Sequence, residues 1–323
     1  MRIQKVSATL FSIAVGISIL GRSGASAQSP PEDQCSVAVV SRFVQSDGPV
    51  CDMTKVQSLA QSGHAFEQNQ LGIASMLVVG PELDAKEALA WFERAAQRGY
   101  PPAEVNLAVM YINGWGTPVN YAGALKWLNT AADQHFPRAY TNLGILYLEG
   151  KGVRQDYNEA FRWFQKGAEA GDSSAQTNLG YMYDQGLGRP NDVATAAKWY
   201  RKAAEAGNPL GENNLADLYL RGEGLKQNDS AAFFWFRQAA LQGHTGARIK
   251  LGYMYAEGRG AAKDPTMAYT WIKAAQMAGD PRGDEMLDRI EKVLSAEEVR
   301  FAREHATKLQ HADAKLSAKN FAQ

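Results

Sequence analysis

Cysteine is nearly absent. The 323 residues contain two, Cys35 and Cys51, and nothing after Cys51 adds a third. They form no Cys-x-x-Cys pair, which excludes a dithiol redox centre and a cysteine-built zinc site. An excess of charge of either sign is also missing: 34 basic residues balance 34 acidic ones. Neither nucleic acid nor an anionic bilayer is therefore indicated as a partner. Long apolar runs are lacking as well. The stretch from Val6 to Leu20 covers fifteen residues, short of the ~20 needed to span a bilayer.

Catalytic signatures are equally scarce. No serine has a lysine three residues later, so the S-x-x-K of serine β-lactamases and penicillin-binding enzymes is missing. The nearest approach, Thr195-Ala-Ala-Lys198, reads as ordinary helix surface. The five histidines (His64, His135, His244, His305 and His311) form no H-x-x-x-H pair. Three of them fall at turns, where a structural role is expected. Paired glycines recur, but none continues as G-x-G-x-x-G or as a phosphate-binding G-x-x-x-x-G-K-S/T. No catalytic residue, metal site or cofactor is expected.

What is present begins with an export signal. Arg2 and Lys5 precede the Val6–Leu20 stretch, and Ala25-Ser26-Ala27 supplies an A-x-A cleavage pattern. Residues 1–27 are therefore expected to be a signal peptide, with no transmembrane segment left after its removal. The mature chain would carry 31 basic and 34 acidic residues in a periplasmic or secreted setting. In that oxidising compartment a Cys35–Cys51 disulfide is expected, with free thiols as the alternative. Closing the loop between them would stabilise the chain by about 3 kcal/mol.

The rest of the sequence repeats. Trp91, Trp127, Trp163, Trp199, Trp235 and Trp271 follow one another at intervals of 36 residues. A fixed period of this size signals a solenoid, whose units pack on their neighbours. One half of each unit carries Leu71, Leu107, Leu143, Leu179, Leu215 or Leu251, followed by glycine or alanine. Glycine costs about 1 kcal/mol in a helix interior, so its recurrence implies close approach of a second helix. A glycine pair such as Gly186/Gly188 breaks this helix. The next begins at a cap column, Asp84, Asn120, Asp156, Asp192, Asn228 and Asp264, of residue types that accept unpaired backbone N–H groups. Along it, Ala196, Trp199 and Ala203 share one face, and the tryptophan column is expected to fill the core.

This periodicity predicts an all-α solenoid of six 36-residue helix-turn-helix repeats over 63–280. Residues 28–62 read as an N-terminal segment and cap holding the disulfide. Residues 281–323 read as a half-repeat, a cap helix and a tail; Ser295-Ala-Glu-Glu298 is a capping box, with Leu294 and Val299 as a hydrophobic staple. The helix there is expected to end near Leu309.

The run from Ala175 to Gly207, with its A-x-x-N-L-G-x-M-Y-x-x-G-x-G and A-x-x-W-x-x-x-A-A-x-x-G patterns, resembles the Sel1-like repeat family, relatives of the tetratricopeptide repeats. The resemblance implies a right-handed superhelix. It also implies an adaptor or regulator that binds proteins, peptides or cell-wall components. A cysteine-rich branch of the family is associated with penicillin binding, but it carries cysteine pairs inside successive repeats, and this chain has none there.

By analogy with tetratricopeptide repeats, the first helices line the concave face, at positions −2, +2, +5 and +6 from the leucine column. This face is expected to be apolar early (Val105, Val109, Ile112, Ile145, Leu148) and more polar later. Its expected partner-binding residues are Tyr181, Asp184, Asp217, Arg221, Tyr253 and Glu257. The function expected is a non-enzymatic periplasmic or secreted scaffold that binds a protein or peptide partner, an adaptor or regulator in the cell envelope. The alternative is a peptidoglycan- or β-lactam-interacting protein or weak hydrolase.

Overall fold

The computed structural model describes residues 53–77 and 85–322, with side chains for residues 55–76 and 85–310. The signal peptide, Cys35, Cys51 and the cap residue Asp84 lie outside the described residues. Every regular element described is helical. The helices are α1 (Met53–Gln61), α2 (Ala65–Leu77), α3 (Ala85–Ala96), α4 (Pro101–Asn113), α5 (Tyr121–Asp133) and α6 (Pro137–Glu149). They continue with α7 (Tyr157–Glu169), α8 (Ser173–Gln185), α9 (Val193–Glu205), α10 (Pro209–Arg221), α11 (Asp229–Leu241), α12 (Thr245–Glu257) and α13 (Pro265–Met277). A 3₁₀ turn (Pro281–Gly283) leads to α14 (Asp284–Glu291) and α15 (Ala296–Ala322). Packing divides the chain into two compact units, one ending at Asp156 and one spanning Tyr157–Ser317.

Helix pairs close on a small residue, alanine at Ala108 and Ala216 and glycine at Gly72, Gly180 and Gly252. A Cβ on Gly72 would stand 2.6 Å from the Phe92 ring, and one on Gly252 would stand 2.4 Å from Ile272. The residue filling this space is the one after each tryptophan: Phe92, Leu128, Phe164, Tyr200, Phe236 and Ile272 are all buried. The tryptophan column is a different layer, which corrects the expectation above. Only Trp271 is buried, and the other five are half-buried. Trp91 packs on Val56 and Ala60 of α1, and Trp127 on the cluster around Phe92. In the second unit Trp235 packs on the cluster around Tyr200, and Trp271 belongs to the cluster around Phe236. Tryptophans of the column also carry basic side chains, with Lys202 Nζ 4.2 Å and Lys166 Nζ 4.5 Å from the rings of Trp199 and Trp163.

The loops are set by backbone geometry. At the end of α10, Gly222 is left-handed and donates its N–H to Leu218 O at 2.9 Å. Two residues on, Gly224 (φ 68°) approaches the start of α9 so closely that a Cβ would lie 2.5 Å from Val193 O. Asn228 then donates its N–H to Tyr219 O at 2.9 Å, and its side chain caps α11 by accepting from Ala231 N. Asn120, Asp192 and Asp264 cap their helices in the same way.

A second cap column escaped the sequence reading. Asp172, Asn208 and His244, each following the inter-repeat glycine, accept from the first backbone N–H groups of α8, α10 and α12. His244 does so through Nδ1, 3.0 Å from Ala247 N. Burial, then the nearby charges of Lys250 and Arg282, push its pKa down to about 4 and keep that nitrogen an acceptor. At the end of the chain the capping box is reciprocal: Ser295 N donates to Glu298 Oε2 at 2.7 Å and Glu298 N to Ser295 Oγ at 3.2 Å. Helix α15 runs to Ala322 rather than ending near Leu309, as the good helix formers in its alanine- and lysine-containing tail allow.

Polar side chains knit successive pairs three residues before the leucine column. Gln68 and Tyr140 donate to the carbonyls of Ala60 and Ala132; in the second unit Gln176 and Arg248 donate to those of Ala168 and Ala240. Glu104 and Glu212 instead accept from an amide at the end of the second helix of their own repeat. Gln134 Nε2 lies 3.0 and 2.9 Å from the Glu104 oxygens, and Gln242 Nε2 lies 3.0 and 2.9 Å from those of Glu212. Both carboxyls are buried and neither has a cation beside it in these bonds, so desolvation raises both pKa values, that of Glu212 to about 7.

Two outcomes follow from these contacts. Gly207 (φ 77°) has open space where a Cβ would go, whereas Gly224 meets backbone. Gly207→Ala should therefore cost only the left-handed penalty, about 1–2 kcal/mol, and Gly224→Ala distinctly more; equal losses in urea unfolding would show that the loop can retreat from α9. The raised Glu212 pKa means that the folded chain holds this proton more tightly than the unfolded one. Its contribution is full below about pH 4.5 and is lost as the pH rises through about 7. Glu212→Gln should remove that loss, worth up to about 3 kcal/mol by pH 8; a variant whose unfolding keeps the wild-type pH profile would refute this origin.

Candidate functional site

The first helices of the second unit, α8, α10 and α12, are mostly buried by the second helices and by one another. What they leave accessible includes the positions +2, +5 and +6 from the leucine column: Tyr181, Asp184 and Gln185 on α8, Asp217, Leu220 and Arg221 on α10, Tyr253, Ala256 and Glu257 on α12, beside the half-buried +4 tyrosines Tyr183, Tyr219 and Tyr255. All six residues expected to bind a partner fall in this set. The −2 positions do not. Thr177, Asn213 and Ile249 are buried between repeats. In the first unit the expected apolar lining, Val105, Val109, Ile112, Ile145 and Leu148, is buried as well. These side chains hold repeats together, and the accessible part of the face in the second unit is polar and aromatic.

On α8, Tyr181 is half-buried and packs on the cluster around Tyr200. Burial chiefly, then the proximity of Asp184 and Tyr157, raises its pKa and keeps the phenol protonated. Asp184 is half-buried; its Oδ2 accepts from Gln185 Nε2 at 3.1 Å and its backbone carbonyl from Asn191 Nδ2. Tyr200 lies beneath, with its pKa raised well above the usual tyrosine value by burial and then by Asp184 and Tyr181. It also lies within the field of Arg221.

Charges on the next two helices are largely matched. Asp217 of α10 is held by Lys250 of α12, and Lys250 Nζ also reaches Asn213 Oδ1 at 3.3 Å. The same ammonium stands 5.3 Å from the Phe236 ring. Arg221 pairs with Glu223 at 2.7 Å, both about half exposed. Tyr253 is half-buried and Glu257 exposed, one helical turn apart. Sequence reasoning did not include Lys250 or Asn214, which sit at −1 and are half-buried here. The signal for Lys250 was a charge in a column otherwise filled by asparagine or glutamine.

Other parts of the described surface offer less. A cleft of about 630 Å³ at the C-terminal cap is lined by Glu291, Leu294, Val299, Arg303 and Thr307 among others. Its Arg303 is already bonded to Tyr269 Oη at 3.1 Å and to Glu291 at 3.0 Å. Among the described residues no three His, Cys, Asp or Glu side chains converge as metal ligands, and no helix is long and apolar enough to cross a membrane.

Known proteins match the architecture and the columns. No curated protein matches the sequence. Among solved structures, the antigen c5321 of uropathogenic Escherichia coli, described as a protective antigen displaying an SLR fold, is 34% identical with a TM-score of 0.62. That match covers 82% of this chain, which spans 56% of the E. coli protein. A Sel1 repeat protein from Oxalobacter formigenes is 31% identical with a TM-score of 0.62, covering 70% of this chain and all of the other. The immunity protein PA5088 of Pseudomonas aeruginosa, at 18% identity and a TM-score of 0.51 over 77% of this chain and 82% of its own, shares the fold. The Sel1 repeat profile matches residues 68–100, 101–136, 137–172, 173–208, 209–244 and 246–280 in turn. With six such matches over more than half its length, the chain belongs to the Sel1 repeat family.

Proposed function

We propose that this protein is a non-enzymatic scaffold that holds an extended segment of a protein partner along the first-helix face of α8, α10 and α12. It would act after export, as an adaptor or regulator in the cell envelope. The observation that carries the reading is how the accessible residues are distributed. Leucines and small residues recur in every repeat and tyrosines from the second on, and they are used in packing. The accessible positions of α8, α10 and α12 instead change from repeat to repeat and place Tyr181, Tyr253 and Arg221 at the surface. Tyrosine and arginine are the side chains that most often anchor protein interfaces.

A binding role also suits the chemistry of the shifted groups. Glu104 and Glu212 are engaged by glutamine amides within their own repeats, and His244 caps a helix. Each shift has a structural cause. The export reading rests on Arg2, Lys5, the Val6–Leu20 stretch and Ala25-Ser26-Ala27.

A photo-reactive amino acid placed at position 181, compared with one at Lys198 on the exposed side of α9, tests the reading in native envelopes. Crosslinking from 181 to one dominant protein, with none from 198, is the expected result. Labelling from 198 alone, or glycan labelling from 181, would overturn it.

A further inference from the structure

The charges already satisfied on this face decide what it can still accept. Asp217 is held by Lys250 and Arg221 by Glu223, so both cations of the face are committed within the chain. Two carboxylates differ from these. Asp184 receives its side-chain hydrogen bond from a neutral amide, that of Gln185. Glu257 lies in the field of Arg259, but that guanidinium grips Asp229 with two bonds of 3.0 and 2.9 Å. The local sum of Glu257, Arg259 and Asp229 stays negative.

Each of these carboxylates sits beside an aromatic ring. Tyr181 precedes Asp184 by three residues and Tyr253 precedes Glu257 by four, spacings that bring side chains to one helical face. Both tyrosines are half-buried, so each ring has a fixed base and an accessible edge or face. A carboxylate beside an aromatic face attracts a cation twice, through the ion pair and through the ring quadrupole.

We propose that Tyr181–Asp184 and Tyr253–Glu257 receive two basic side chains, lysine or arginine, of one extended partner segment. This rests on the reading of the first-helix face as a protein-binding surface and adds the chemistry of its partner. Helices α8 and α10 touch directly, and Lys250 bridges α12 to α10. Packed helices lie about 8–10 Å apart, so two steps separate the acidic positions by roughly 16–20 Å. An extended chain advances about 3.3–3.6 Å per residue, which puts the two basic residues about five or six positions apart. The intervening Asp217–Lys250 pair, neutral overall, faces the uncharged middle of the segment.

Short peptides titrated against the signal-less chain test this. The probe carries two arginines about five residues apart in a serine/threonine background, and its control carries glutamates in their place. The arginine peptide should bind, more weakly as salt rises, and the glutamate peptide should not. Asp184→Asn and Glu257→Gln should each lower affinity about tenfold, while Asp288→Asn, an exposed acid on α14, leaves it unchanged. Failure of the arginine peptide to bind, equal binding of both peptides, or an equal loss in Asp288→Asn would overturn the proposal. If crosslinking from position 181 captures one protein while the arginine peptide fails, the scaffold reading survives and the basic-segment proposal falls.

Discussion

A helix with a bare stretch of backbone meets a large side chain from its neighbour, and the repeat is built on that contact. Phe92 lies over Gly72, Tyr200 over Gly180 and Ile272 over Gly252, each closer than a Cβ would permit. Close approach brings the two helices near enough for the loop between them to be short. The second loop glycine can then lie against the previous repeat, as Gly224 does on Val193. The tryptophans form a separate layer, half-buried except for Trp271. Cost and benefit are linked: glycine weakens each first helix by about 1 kcal/mol, and the buried ring it admits returns more than that.

Most of this order was legible in the residues, because a six-fold repeat averages out the noise of any single helix. The cap column, the glycine pairs and the capping box at Ser295 all fall where spacing put them. The tryptophan was misread for a geometric reason. Trp199 and Tyr200 both lie within a turn of Ala196 and Ala203, so helical period alone does not say which points inward. The position that varies, through Phe, Leu, Tyr and Ile, proved to be the core, where residues of similar bulk replace one another easily. The cap role of Asp172, Asn208 and His244 was hidden because a residue after a turn glycine looks like part of the turn.

The candidate face was legible in part. Tyr181, Asp184, Asp217, Arg221, Tyr253 and Glu257 are all accessible in the second unit, whereas Val109, Ile112, Ile145 and Leu148 at the same +2 and +5 positions of the first unit are buried. Position −2 points into the next repeat, which is why Thr177, Asn213 and Ile249 are buried. Which charges are satisfied was beyond the reach of spacing. The partner of Asp217 is Lys250, 33 residues away, and only packed helices bring the two together. Constant columns thus set the distance between repeats, and the few accessible positions inherit a rigid spacing.

The polar contacts three residues before the leucine column have one more consequence. Chains made of near-identical units risk pairing one repeat with the wrong neighbour while they fold. Here the junctions are not interchangeable. Gln176 and Arg248 look backward to main-chain carbonyls of the repeat before, and Tyr140 does the same, whereas Glu212 is satisfied inside its own repeat by the amide of Gln242. Gln, Tyr and Arg differ in length and charge, so a unit stacked out of turn would meet a gap or a clash at this position, at a cost of about 1–3 kcal/mol. These side chains act as keys cut differently for each lock, and they let a monotonous sequence assemble in a single order.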